Sequence, residues 1–157
     1  MFREVRKKHR RLDKNESLVV LKEGMEGVIS TIGEDGYPYG VAINYVYFND
    51  AIYFHSSNKG HKLDNIRKNN KVSLFVSKDI RIRPEDFTTY YKSVVVFGKA
   101  MIVEGEEKIK ALVAIGQKYS LEFMEKGMKS IDNSLQSCTV IKINIEHITG
   151  KYSDESN

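Results

Sequence analysis

The chain is expected to fold as a small, mainly β domain: an antiparallel closed or split barrel with helices at its ends. Three observations lead there. About six segments carry β patterning, and most are joined by turns. Only two substantial helical patterns and one short one interrupt them. An open α/β sheet would need a helix between most of its strands, and those helices are missing. The length of 157 residues suits a single domain, 1–157, with a real core, and 41% hydrophobic with 29% charged residues are globular values.

Residues 1–11 carry Arg3, Arg6, Lys7, Lys8, Arg10 and Arg11 against Glu4, a local charge of +5 that leaves the rest of the chain at −1 out of a net +4. The basicity therefore belongs to an arm, solvated or docked on a partner, and not to a nucleic-acid-binding face. Asp13 followed by Glu16 has the spacing of a capping box. It opens a helix over 14–23 with Leu18, Val19 and Leu21 inward, and Gly24 ends it. Residues 25–32 read as a strand closed by the turn Gly33-Glu34-Asp35-Gly36. Pro38 lacks a backbone donor and so belongs at a strand start or on an edge.

The stretch 41–76 organises the chain. Its first strand, 41–48, alternates Val41, Ile43, Tyr45 and Tyr47 against Ala42, Asn44, Val46 and Phe48. Asn49-Asp50 supplies turn chemistry, and residues 51–56 return as the second strand of a hairpin. Ser56, Ser57 and Asn58 end that strand, Gly60 breaks it, and a short basic helix runs from His61 to about Asn70. Residues 72–76 form the next strand. A helix start offers unpaired N–H groups and a partial positive charge. With two hydroxyls and Lys62 arriving there, it reads as an anion site, most naturally for a phosphate. The competing reading is a serine N-cap on an ordinary solvated helix.

Residues 77–89 are polar and contain Pro84, and read as a loop with one short helix. Residues 90–103 are strongly β, and Gly98 within them marks a bulge or a close approach of backbone or ligand. The best helix covers 106–126, with Ile109, Leu112, Val113, Gly116, Tyr119 and Phe123 on one stripe that Met124 and Met128 could extend. Residues 137–148 close the fold with Ile141, Ile143 and Ile145 in alternation, and 151–157 read as a frayed tail.

No nucleophile–base pair, Walker motif, G-x-S-x-G or G-x-G-x-x-G is present. Cys138 has no second cysteine, reads as a structural thiol and suits a reducing cytoplasm. His9, His55, His61 and His147 are scattered, so no metal cluster is expected. No apolar run reaches the roughly 20 residues of a bilayer span, and the charged N-terminus does not read as a secretory signal. Chemistry borne by a cofactor is the better expectation.

The segments GEDGYPYGVAINYVY, IYFHSSNKGHKLDNIRKNNKVSLFV, TTYYKSVVVFGKAMIVE and IEHITGK resemble the flavin-binding split-barrel superfamily, the group of the pyridoxamine 5′-phosphate oxidases. Within it the chain is most similar to the nitroimidazole-resistance (Nim-type) proteins. The resemblance implies a homodimer of six-stranded split barrels with FMN at the subunit interface. It implies that Val41, Ala42, Ile43, Asn44 and Tyr45 line the flavin ring. His55 and Ser56 match the Tyr-Thr pair of the oxidases, with Ser57 beside them at the strand end, and His61 and Lys62 match their Arg-Lys phosphate pair. Ser93 stands where the oxidases place a Gln near the flavin. Asn44 either presents its amide to the ring or is a polar residue satisfied by neighbouring backbone. His55 is either a proton donor at the flavin or a strand-end histidine bonded to backbone. Two departures matter: His61 replaces Arg, and the chain ends IEHITGKYSDESN without the aromatic and arginine residues that bind the oxidases' substrate. Pyridoxamine phosphate oxidation is therefore not expected. The implied activity is transfer of electrons from a reduced nicotinamide through FMN to a small acceptor such as a nitroimidazole. A flavin-binding or sensing module without turnover, or a barrel holding haem or a deazaflavin, are the rivals.

Overall fold

The capping box forms as the sequence dictates. The structure, a computed structural model, describes residues 2–154. In it Glu16 N–H donates to Asp13 Oδ1 at 2.8 Å, and Asp13 N–H donates to Glu16 Oε2 at 2.7 Å. This opens α1 (Lys14–Glu23), just after the two-residue strand β1 (Arg11–Leu12). There follow β2 (Gly27–Ile32), β3 (Pro38–Ile43), β4 (Val46–Phe48), β5 (Ala51–Ser57) and α2 (His61–Lys68). The second half contains β6 (Lys71–Arg83), β7 (Thr88–Val103), α3 (Gly105–Ser120), α4 (Met124–Ser134) and β8 (Cys138–Ser153).

All strand pairs are antiparallel, in the order β3-β2-β6-β7-β8-β5-β4, with β1 added to β8. The two ends of this order, β3 and β4, are consecutive in the chain and joined only by Asn44 and Tyr45. The sheet thus returns on itself through a covalent bend instead of a hydrogen-bonded ladder, and the barrel is split there. β3 pairs only with β2, and β4 pairs with β5 only as far as Val46 opposite Tyr53. From the bend outward, β3 and the end of β5 flank a cleft with no strand between them.

Alternation fills the barrel. Ile29, Ile52, Phe54, Leu74, Val76, Val94, Val96, Ile141 and Ile143 point inward, while Val20 and Leu21 of α1 and Leu63 and Ile66 of α2 cover its openings. Each such side chain contributes roughly 1.5–3 kcal/mol by burial. A second cluster lies outside the barrel, where Tyr53, Val103 and Val140 meet Ala111, Leu112 and Ile115 of α3 and Ile131 of α4. Gly98 carries both features expected of it. The ladder shifts register between Phe97 and Gly98, and a Cβ there would lie 2.3 Å from Asn144 O.

Several expectations are corrected. Residues 41–48 are two strands, not one: Asn44 and Tyr45 leave the ladder, and the Tyr45 amide and carbonyl bond to side chains of α3 instead. Residues 77–89 form no loop: β6 and β7 continue as a two-stranded ribbon, turned by a short helical segment at Pro84–Asp86 and Phe87 at φ 50. A ribbon largely bathed in solvent on both sides needs no apolar alternation, which is why its sequence looks irregular. The helix expected over 106–126 ends at Ser120, and α4 folds back so that the Met124 sulfur sits where a Cβ on Gly116 would come within 3.0 Å. Phe123, placed on the inward stripe, is exposed, as is Met128. In α1 the inward face is Ser17, Val20 and Leu21, and Val19 faces solvent.

Both chain ends are also more ordered than expected. Residues 151–153 pair with β7, and Ser153 is buried; residues 155–157 lie outside the described residues. The N-terminal arm lies on its own sheet, Phe2 stacking on Phe97 and His147 at 5.1 and 5.0 Å. No helix among the described residues is long and apolar enough to cross a membrane.

Candidate functional site

The mouth of the cleft is built by a turn, a strand and a helix start. Asn49 and Asp50 adopt φ of 47° and 56°, the left-handed pair of a tight hairpin turn, and send β5 back past the bend. Along β5, Ile52, Phe54 and Ser56 then face the barrel interior while Tyr53, His55 and Ser57 face outward. Ser57 Oγ donates to Lys59 O at 2.8 Å. Asn58 is held on both sides, its Nδ2 donating to Gln136 O at 2.8 Å and its Oδ1 accepting from Thr139 Oγ1 at 2.9 Å. Gly60, at φ 138°, lets the chain swing into α2.

The N–H groups of Leu63 and Asp64 both return to Gly60 O, at 3.0 and 3.1 Å. The first two helical donors, on His61 and Lys62, therefore have no acceptor within the helix. The His61 ring rests 4.1 Å from that of Tyr39, tilted by 37°, which fixes the helix start against β3. Lys62 is half-buried and makes no ion pair among the described residues. The helix start thus offers backbone donors with an imidazole and an ammonium on its first two residues, a combination suited to an anion. The serines contribute less than expected: Ser56 turns inward and is buried, and the Ser57 hydroxyl is engaged with Lys59.

His55 stands outward near this spot with one side open to solvent. The protein packed around its ring, and after that the Lys62 charge, lower its pKa below the usual histidine value. At neutral pH the ring is uncharged.

At the other end of the cleft, the bend is tightly bonded. Val41 and Ile43 face inward, Ala42 outward, and Asn44 is exposed with its Nδ2 donating to Met25 O at 3.2 Å. Tyr45 is fully buried, its hydroxyl donating to Leu21 O at 2.6 Å. Burial, and next the neighbouring Tyr119, push its phenol pKa up. The N–H of Tyr45 donates to the Tyr119 hydroxyl at 2.9 Å, and its carbonyl accepts from Lys118 Nζ at 2.9 Å. Sequence reasoning placed Tyr119 on a core stripe and passed over Lys118. A lysine–tyrosine pair in the last turn of a helix was the available signal, and nothing local says which carbonyls it reaches.

Ser93 is not brought to either group within one chain. It faces outward on β7, opposite Ser77 and Lys151, about three strands or ~14 Å around the barrel from Asn44. With Phe75, Ile80, Tyr91 and Val95 it lines an apolar cavity of about 470 Å³. Five surface cavities of 410–470 Å³ are lined by other residues than His55, His61 and Lys62.

A barrel split at a covalent bend, with an anion-ready helix start at the mouth of the split, defines the split-barrel class of ligand-binding domains. Within that class the chain belongs to the pyridoxamine 5'-phosphate oxidase family, whose profile matches residues 13–152. Among solved structures it is similar to a candidate 5-nitroimidazole antibiotic resistance protein from Bacteroides thetaiotaomicron (24% identity, TM-score 0.75, covering 90% of this chain and 86% of that one). It is also similar to an FAD-binding protein from Mesorhizobium loti (26%, TM-score 0.65, 93% and 97%). A third is the FAD and heme binding protein of Mycobacterium smegmatis (16%, TM-score 0.79, 92% and 74%). A search of curated proteins found no match.

Proposed function

We propose that this chain binds FMN in the cleft between β3 and β5 and works as an oxidoreductase, passing electrons from a reduced nicotinamide to a small acceptor such as a nitroimidazole. One observation carries the reading: the start of α2, where the first helical N–H groups, on His61 and Lys62, have no acceptor in the helix and stand beside the unpaired edge of β3, against which the His61 ring rests. A flavin nucleotide is a charged phosphate joined to a flat ring with a polar edge. The cleft offers a matching pair of surfaces, with cationic donors at its mouth and free backbone N–H and C=O groups along residues 41–43. The names of two similar structures, which are FAD-binding proteins, support the flavin; the resistance protein supports the acceptor.

A bound flavin supplies one- and two-electron chemistry that no side chain has. The chain's own residues bind and orient. Lys62 and the helix start neutralise the phosphate. The edge of 41–43 takes the polar rim of the ring, and Asn44 stands at its end with its side chain already on Met25 O. His55, held neutral, is suited to accept a proton and pass it on, and is not a standing acid. The outward face of the sheet exposes Val28, Phe75 and Phe97 and the cavity at Ser93. A second copy of the chain covers it in this reading, bringing Ser93 to the partner's cleft, and the lone Cys138 suits a reducing cytoplasm.

The test is an absorbance spectrum of the purified protein after addition of FMN and desalting. Retained flavin bands are expected; a protein that stays colourless sinks the reading, and a Soret band assigns the cleft to haem. Lys62→Ala should weaken FMN by about 1.5–3 kcal/mol and leave riboflavin unchanged. Equal losses would remove Lys62 from the phosphate. Bleaching by NADH or NADPH no faster than that of free FMN would leave a binding module without turnover.

A further inference from the structure

Lys118 and Tyr119 lie away from the mouth of the cleft, yet they shape its closed end. As consecutive residues in the last turn of α3, they reach two connecting segments at once. Lys118 Nζ donates to Gly24 O at 2.6 Å and to Tyr45 O at 2.9 Å. The Tyr119 hydroxyl accepts from Tyr45 N–H at 2.9 Å, and lies 2.8 Å from both Met25 O and Tyr45 O, to one of which it donates. One hydroxyl thus satisfies the backbone of a residue that has left its ladder.

The arrangement is costly. The groups facing Lys118 are carbonyls and the rings of Tyr45 and Tyr119, whose centroids lie 4.2 and 5.2 Å from Nζ. No carboxylate pairs with it among the described residues, and burial alone lowers its pKa to about 8. The carbonyl of Gly24, at the negative end of α1, recovers part of that cost. A methionine would fill the same space without burying a charge. What the charge supplies is a directed bond to the bend from behind, which leaves the cleft side of β3 free. An added strand would pin the bend equally well and would fill the cleft.

We infer that Lys118 and Tyr119 are positioning residues of the cofactor cleft, holding the break at Asn44 and Tyr45 so that the free edge of 41–44 keeps a fixed angle to β5. They act through the backbone of Tyr45 and touch no ligand. The inference rests on the flavin reading of the cleft. It assigns to the closed end a contribution to ring binding that the phosphate residues do not make.

The experiment uses the full chain with Lys118→Met, Lys118→Arg and Tyr119→Phe. It measures FMN and riboflavin affinity by fluorescence quenching, the visible spectrum of the bound flavin, and hydrogen exchange at the Tyr45 amide. Lys118→Met and Tyr119→Phe should speed exchange at Tyr45 and weaken both flavins by the same factor, about tenfold. The spectrum of the remaining complex should shift, and Lys118→Arg should restore all three readouts. Faster exchange with unchanged affinity and spectrum would overturn the inference, as would a loss confined to FMN or a failure of arginine to rescue. If Lys118→Met does not fold, Tyr119→Phe, which removes a single oxygen, decides alone. Wild-type protein that binds neither flavin refutes the flavin reading, and exchange at Tyr45 then still shows whether the clamp holds the bend.

Discussion

The two ends of the cleft are built on opposite principles. At the bend, polar groups are heavily partnered: Tyr45 bonds through its amide, carbonyl and hydroxyl, and Asn44 through its side chain. At the mouth, the donors of His61 and Lys62 are left open, and Lys62 has no counter-ion among the described residues. Both ends use a lysine beside a helix terminus. Both are half-buried, but Lys118 is bonded to two carbonyls while Lys62 has no hydrogen-bond or ion-pair partner among the described residues. The difference teaches that saturated polar groups fix a shape, whereas unsaturated ones held by that shape are available to bind.

The glycines give the sharpest way to break this contrast. Gly24 has an ordinary φ of −61°, but a Cβ there would meet Val76 Cγ1 at 2.3 Å and the Tyr45 hydroxyl at 2.7 Å. Gly24→Val should cost about 3 kcal/mol or more by overpacking the bend. Gly60 has nothing within 4 Å of its would-be Cβ, and its φ of 138° is the only obstacle. Gly60→Ala should cost about 1–3 kcal/mol, all of it backbone strain and none of it packing. Urea unfolding of the two variants measures both, and equal costs would erase the distinction between a packed end and an open one.

A smaller effect is expected from Tyr45→Phe, which leaves the buried Leu21 carbonyl without its 2.6 Å donor. The loss should be about 1–2 kcal/mol. Ser57→Ala, at the exposed mouth, should change stability by no more than about 0.5 kcal/mol.

The smallest effect concerns protons. The native state holds the His55 pKa below its ordinary value, so in the window just under about 6.5 the unfolded chain binds more protons than the folded one. Stability from this residue is present above that window and is lost as pH falls through the folded pKa. Lys62→Ala removes the second cause of the shift, so the His55 pKa should move back up and the loss should shrink. An NMR titration of the imidazole reads this directly, and an unmoved pKa would show that Lys62 does not face the ring.

Much of this arrangement was legible in the residues themselves. The Asp13–Glu16 box, the Asn49-Asp50 turn, the strand at 72–76 and the helix start at His61 are local signals obeyed locally. The break at Asn44 and Tyr45 was not legible, because alternation runs through it without a fault. Tyr45 faces inward whether the strand is whole or broken, and what breaks it comes from Lys118 and Tyr119, far away in sequence. The ribbon of β6 and β7 was hidden for the opposite reason, since solvent on both faces removes the pattern by which strands are recognised. At the candidate site, the helix starts at His61 as the sequence indicates, whereas Ser56, read as one of the hydroxyls at that start, turns inward with the pleat of β5. Ser93 can be placed on a face by the same pleat, but no single-chain pattern says what covers that face.

The covalent bend has a consequence for how such a domain can change over generations. In a barrel closed by a ladder, widening the seam would shift the register of every strand and expose the core. Here the seam is two residues of chain, and the strands on either side keep their own partners whatever the angle between them. Substitutions at the bend or its clamp can reset the aperture while the walls stay as they are. Variation in what the cleft accepts is thereby uncoupled from variation in what keeps the barrel folded.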